Sequence, residues 1–159
     1  MRWAVGTGRC GMHNWTRWRN GFVESDPKLR KLAVDYFQDP STPLDYAYEV
    51  FKKRMSLGVD SLADCCQFMF INVISELDKD AEFDWLIRDR KDCIESFMNK
   101  PGEDTRIHPK GWDFKYENKQ ALIEWYYDKV NEIILNNLQG KKYTLIPTES
   151  MPKMVNYGR

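Results

Sequence analysis

Arg2-Trp3-Ala4-Val5-Gly6-Thr7-Gly8-Arg9-Cys10-Gly11 begins as a β-compatible apolar segment and runs directly into a glycine-rich turn. Glycine tolerates φ > 0 and lets a second backbone or a ligand approach closely. A Gly-x-x-x-x-Gly turn between a strand and a helix can therefore aim successive N–H groups at one anion. A helix is predicted from about Gly11 to Asn20, where Asn20-Gly21 signals a turn. Its positive N-terminal end would favour the same anion. A Mg²⁺-nucleotide loop needs Lys and then Ser or Thr after the final glycine, and this chain has Met12 and His13. The cation lies inside the turn instead, at Arg9. The competing reading is an ordinary tight turn with an exposed Arg9.

Downstream, the pattern alternates between short apolar runs and helical spacing. Ser25-Asp26-Pro27 predicts an N-cap with proline in the first turn, followed by a face of Leu29, Leu32, Ala33, Tyr36 and Phe37. Thr42-Pro43-Leu44-Asp45 reads as a capping box, opening a helix with Ala47, Tyr48, Phe51 and Met55 on one face and Gly58 at its end. Val59 to Leu62 predicts a short strand, Cys66 to Leu77 a buried helix, and Phe83 to Ile87 a strand. Asp89 to Asn99 returns to helical spacing. Residues 100–116 hold two prolines and two glycines and read as a long surface loop. Asn118 caps the longest helix, Gly140 stops it, and Tyr143 to Ile146 forms the last strand. Strands separated by helices imply a parallel sheet with helices on both faces, and ligands outside the carboxyl ends of the strands. The predicted fold is one α/β domain over 1–159, three-layer α/β/α with a short parallel sheet.

Composition narrows the function. With 24 basic and 24 acidic residues in 159, the chain lacks the charge excess of a general nucleic-acid or membrane-surface binder. The content, 42% hydrophobic and 14% aromatic, is that of a folded domain. Cys10, Cys65, Cys66 and Cys93 form no C-x-x-C pair, and there are only two histidines, so no structural metal site is predicted. Reduced thiols in a cytoplasmic setting are the expectation. No apolar run reaches the ~20 residues of a membrane span.

Gly6-Thr7-Gly8-Arg9-Cys10-Gly11 resembles the 5′-phosphosulfate loop of bacterial and Golgi-type sulfotransferases, G-T-G-R-[SC]-G-T. Leu86-Ile87-Arg88-Asp89-Arg90-Lys91-Asp92-Cys93-Ile94-Glu95-Ser96 is similar to that family's strand-to-helix segment, L-[IV]-R-D-P-R-x-x-x-x-S. The likeness covers roughly residues 2 to 99. It implies a P-loop-like fold and a donor, 3′-phosphoadenosine-5′-phosphosulfate, with adenosine 3′,5′-bisphosphate as product and no metal. The donor site would comprise Thr7, Gly8, Arg9, Cys10, Gly11 and Met12 around the 5′ group, with Arg88 and Ser96 on the 3′-phosphate. Met12 stands where the family has threonine, Arg90 where it has proline, and Asn14 where cytosolic members stack a tryptophan on adenine. Trp15 or Trp18 would have to substitute, unless both are core residues. The family's basic R-K-G-x-x-G segment near the C-terminus has no counterpart.

The resemblance further implies sulfuryl transfer to a hydroxyl or amine of a small-molecule or saccharide acceptor. Arg9 would stabilise the leaving phosphate, while Cys10 reads as a small packed residue. The general base falls by position on Glu24, whose alternative is a solvated residue before the Ser25-Asp26 cap. His13 would donate to the sulfate. His108, with Trp112 in the long loop, is either part of an acceptor surface or simply exposed. Two other readings stay open: a non-catalytic nucleotide-binding module of the same fold, and a divergent P-loop kinase or hydrolase. Neither the acceptor nor the oligomeric state is written in the sequence.

Overall fold

The computed structural model describes residues 1–7, 15, 16, 19, 21–99 and 118–151. Five strands, β1 (Arg2–Gly6), β2 (Phe22–Val23), β3 (Ser61–Ala63), β4 (Glu82–Ile87) and β5 (Tyr143–Pro147), form one parallel sheet in the order β2-β3-β1-β4-β5. Between them run α1 (Pro27–Gln38), α2 (Asp45–Met55), α3 (Ile71–Leu77), α4 (Arg90–Met98) and α5 (Lys119–Leu138). Short 3-10 turns at Gln67–Phe70 and Thr148–Ser150 complete the described residues. The chain is thus an α/β protein with a parallel sheet, as its βαβ pattern predicts.

Alternation along the strands sorts the core into two parts. Trp3, Val5, Leu62, Phe83 and Trp85 pack with apolar residues of all five helices, including Leu29, Phe51, Ile74, Phe97 and Val130. Ala4, Ala63, Leu86 and Ile146 form a smaller cluster with Trp15 and Met151. The three connections that step toward β5 pack on the first face, and the single one that steps toward β2 brings Trp15 onto the second. That division is what crossovers of one hand produce. Helices on both faces were predicted; the described helices α1–α5 share one face. On the other, residues 15, 16 and 19 are helical, within the segment read as helix 11–20.

Local signals explain the helix boundaries. Asp26 caps α1 by accepting from the N–H groups of Lys28 and Leu29, with Pro27 in the first position. Asn118 caps α5 through Ala121 N–H. The capping box read at Thr42–Asp45 does not form. Leu44 occupies the cap of α2 without a side-chain bond, and Thr42 Oγ1 donates to the carbonyls of Asp35 and Asp39 at the end of α1. Its hydroxyl satisfies the preceding helix rather than the following one. Gly58 and Gly140 take φ of 71° and 73°, the left-handed conformation a helix exit favours. β3 lies two residues beyond its predicted start, and the two-residue β2 was not predicted at all. The segment read as one helix from Cys66 splits into the 3-10 turn and α3.

Candidate functional site

β1 and β4 are neighbours, paired in parallel from Arg2↔Glu82 to Gly6↔Leu86. After β1 the chain leaves for β2 at one edge, and after β4 it leaves for β5 at the other. Adjacent strands whose connections diverge open a crevice at their carboxyl ends, where open α/β sheets bind ligands. By that rule the expected ligand position here lies between Thr7 and Ile87-Arg88. The strand read over Phe83 to Ile87 ends at Ile87 as expected, and β1 extends to Gly6.

Gly6 is fixed by proximity rather than by torsion. A Cβ built there would lie 2.8 Å from the Leu86 carbonyl oxygen, so only glycine lets β1 and β4 approach this closely. Thr7 follows, 1% exposed, with Oγ1 3.9 Å from Cys93 Sγ of α4. Its hydroxyl therefore faces the protein, which leaves its backbone as the group able to serve a ligand. Gly8, Arg9, Cys10, Gly11, Met12 and His13 lie outside the described residues, as do Trp18, His108 and Trp112.

Arg88 is half-buried at the end of β4. Among the described residues its guanidinium has no hydrogen-bond or ion-pair partner, while its carbonyl accepts from Tyr127 Oη of α5. Burial pushes the Tyr127 phenol above its ordinary range, aided by neighbouring negative groups, so the hydroxyl is a donor at neutral pH. Asp89 caps α4 by accepting from Asp92 N–H, and its own N–H donates to Glu149 Oε1. Arg90 grips Asp128 of α5 with two bonds of 2.9 and 3.0 Å. Where the family pattern has proline, this turn is thus clamped by side chains from α5 and the segment after β5. Ser96 is half-buried on α4, one turn beyond Cys93 on the same face.

Glu24 comes directly after β2 and donates its N–H to the Ala63 carbonyl at 3.0 Å. It stands at the carboxyl end of the sheet. The order β2-β3-β1 places its strand two places from β1, on the order of 10 Å away. Trp15 follows the core alternative: it is fully buried on the second sheet face and donates Nε1–H to Asp84 Oδ2 at 2.8 Å, so it is no adenine platform.

Sequence reading missed two buried carboxylates. Asp84, in the middle of β4, accepts from Arg2 Nε and Nη2 as well as from Trp15. Asp64 follows β3 at the carboxyl end of the sheet. Its Oδ2 accepts from Arg54 Nη2 at 2.7 Å, and its Oδ1 accepts from Cys66 N–H and Sγ–H. Both oxygens are committed to protein donors. The one available signal was a charged residue inside or abutting an apolar strand, as in Leu62-Ala63-Asp64.

What the fold defines is a class: an α/β protein whose parallel sheet reverses its strand order between β1 and β4. Comparisons with family models, with curated proteins and with solved structures find no match to the chain. Among the described residues no helix is long and apolar enough to cross a membrane, and no three His, Cys, Asp or Glu side chains group as metal ligands.

Proposed function

We propose that the chain is a sulfotransferase, binding 3′-phosphoadenosine-5′-phosphosulfate in the β1–β4 crevice and transferring its sulfuryl group to an acceptor hydroxyl or amine. The observation that carries this reading is the Arg88 guanidinium, unpartnered among the described residues, at the carboxyl end of the strand paired with β1. Such a planar fork suits a phosphate, to which it can donate two parallel hydrogen bonds. Ser96 would add a hydroxyl to the same phosphate. The turn after Gly6 would hold the 5′ end, with backbone N–H groups and Arg9 facing the phosphate that leaves.

The donor supplies the reactive sulfur; the protein orients it and balances charge as the sulfur–oxygen bond breaks. Glu24 would take the acceptor proton, and His13 would donate to a sulfate oxygen. The commitment of both Asp64 oxygens to Arg54 and Cys66 favours this reading over a Mg²⁺-nucleotide enzyme, because the carboxylate beside β1 is not free for a cation.

Calorimetric titration with adenosine 3′,5′-bisphosphate, with and without Mg²⁺, tests the proposal. Metal-independent binding is expected, weakened by about 2–3 kcal/mol in Arg88→Ala, the scale of a lost charge-assisted contact. Failure to bind, or binding of ATP only with Mg²⁺, refutes it. With donor and a panel of acceptors, Glu24→Gln should lower turnover and leave bisphosphate affinity unchanged.

A further inference from the structure

At the end of the sheet opposite β2, β5 has one neighbour, β4, among the described residues. Phe83 N–H donates to the Lys142 carbonyl at 3.1 Å, and the register runs Phe83↔Tyr143 and Trp85↔Leu145. In a parallel ladder, alternate residues turn both backbone groups to the same neighbour. Lys142, Thr144 and Ile146 therefore bond β4, while Tyr143, Leu145 and Pro147 turn theirs toward the open edge. Tyr143 and Leu145 also carry exposed apolar side chains, at 44% and 49%. Leu135 of α5 is exposed as well, one turn beyond Asn131, which accepts from Trp85 Nε1–H. Folded chains blunt such edges with charge, proline or a bulge. Lys142 and Pro147 bracket this one and leave residues 143–146 unguarded. We propose that β5 is a homodimer interface, at which two copies of this chain join their sheets by antiparallel pairing about a two-fold axis at Leu145.

A second copy, rather than an unrelated strand, fits this edge because the segment is complementary to itself. Lys141 and Glu149 lie four residues either side of Leu145 and carry opposite charge. Among the described residues each has only neutral partners. Lys141 Nζ donates to Asn72 Oδ1 and to the Asn137 carbonyl, and Glu149 Oε1 accepts from Asp89 N–H. A two-fold axis at Leu145 sets Lys141 of each copy opposite Glu149 of the other, and Tyr143 opposite Pro147. Moving the axis to Thr144 would instead face Lys141 with Pro147 and Glu149 with Gln139, so the charges select the register.

At the axis the two Leu145 residues donate N–H to each other's carbonyl, and each Tyr143 N–H donates to the Pro147 carbonyl opposite. Proline has no N–H to return, so the pairing ends there. The leucines and tyrosines of both copies fall on the face of the joined sheet that carries Trp85, where cross-strand neighbours pack together. Pairing thus satisfies the outward backbone groups and removes exposed apolar surface in one step. The inference rests on this edge and not on the sulfotransferase reading.

Sedimentation equilibrium of the full chain over a range of concentrations tests the interface, and a reversible monomer–dimer equilibrium is expected. Leu145→Lys sets two like charges face to face at an exposed position. It should weaken association about a hundredfold or more and leave the far-UV circular dichroism unchanged. Lys141→Glu and Glu149→Lys should each weaken association, and the double variant, which exchanges the two charges, should restore it. Leu145→Cys gives an independent reading, because hydrogen-bonded partners in an antiparallel pair have Cα atoms about 5.5 Å apart, within disulfide range. Mild oxidation should then yield a covalent dimer linked at position 145, mapped by peptide mass. A chain that sediments as a monomer throughout, or a dimer that persists in Leu145→Lys, would overturn the proposal. So would a dimer whose Leu145→Cys variant stays unlinked at that position, or a double charge variant that remains as weak as the single ones.

Discussion

At Gly6 a single hydrogen separates β1 from the Leu86 carbonyl, and the 2.8 Å that a methyl carbon would leave is a clash with backbone. Gly6→Ala is expected to cost about 1–3 kcal/mol in urea denaturation, the scale of overpacking, with the strain falling on the crevice itself. Arg54 poses the opposite problem. It is 4% exposed, held by Asp64 and lying over the Phe51 ring, with Nη1 buried and unpartnered among the described residues. Arg54→Ala strands the Asp64 carboxylate and should destabilise by about 3–5 kcal/mol. Arg54→Met with Asp64→Asn, which removes both charges, should recover much of that loss. Asp26 carries a pH dependence. Burial works against its charge, but bonds from Tyr46 Oη and the Leu29 and Lys28 N–H groups outweigh it and hold the carboxyl below 3.8. A depressed folded value stabilises above the unfolded one and is lost as pH falls through the folded one. Asp26→Ala should therefore cost about 1 kcal/mol at neutral pH, a gap that closes below about pH 4. Asp26 was legible because its cap chemistry is local, whereas Arg54 reads as one more exposed charge at a helix end. Nothing within a few residues of it announces Asp64.

At the scale of elements, the β4–α4 turn is held by side chains distant in sequence. Tyr127 holds the Arg88 carbonyl, Asp128 holds Arg90, and Glu149 holds the Asp89 N–H, so the turn depends on α5 and the segment after β5. The Arg90–Asp128 pair is exposed and contributes little. Tyr127, with its ring buried and its hydroxyl bonded to the turn, matters more. Tyr127→Phe should cost about 1 kcal/mol of stability. It should also weaken bisphosphate binding while Arg88 itself is intact, which titration of the variant would detect. The Asp26 and Asn118 caps and the approximate positions of α1–α5 could be read from the chain, since periodicity and capping act over a single turn. The Tyr127 tie could not: 39 residues separate it from its acceptor. β2 escaped for a related reason. Two residues have no period, and their strand character comes only from pairing with β3.

For the whole molecule, the decisive property is the strand order. Helical and strand periods predict that the sheet is parallel, but not which strands are neighbours. That β1 and β4 adjoin came instead from recognising two motifs and supposing that they meet. Their pairing through Gly6↔Leu86 gives the supposition a physical basis in the sheet, independent of the motif letters. It also makes the ligand response of the fold quantitative. A ligand bridging the ends of two central strands binds only the folded chain. At a concentration about a hundred times Kd it therefore adds about 2.7 kcal/mol of stability. For a domain of this size that raises Tm by about 5–10 °C. Adenosine 3′,5′-bisphosphate should produce this shift with or without Mg²⁺, and Arg88→Ala should remove most of it while leaving the ligand-free Tm within about a degree, since the side chain has no partner among the described residues to lose. Adenosine 5′-monophosphate, which lacks the 3′-phosphate, should stabilise the parent and Arg88→Ala proteins alike. An Arg88→Ala protein that responds to the bisphosphate as fully as the parent would place the ligand elsewhere on the sheet and remove the crevice from the mechanism.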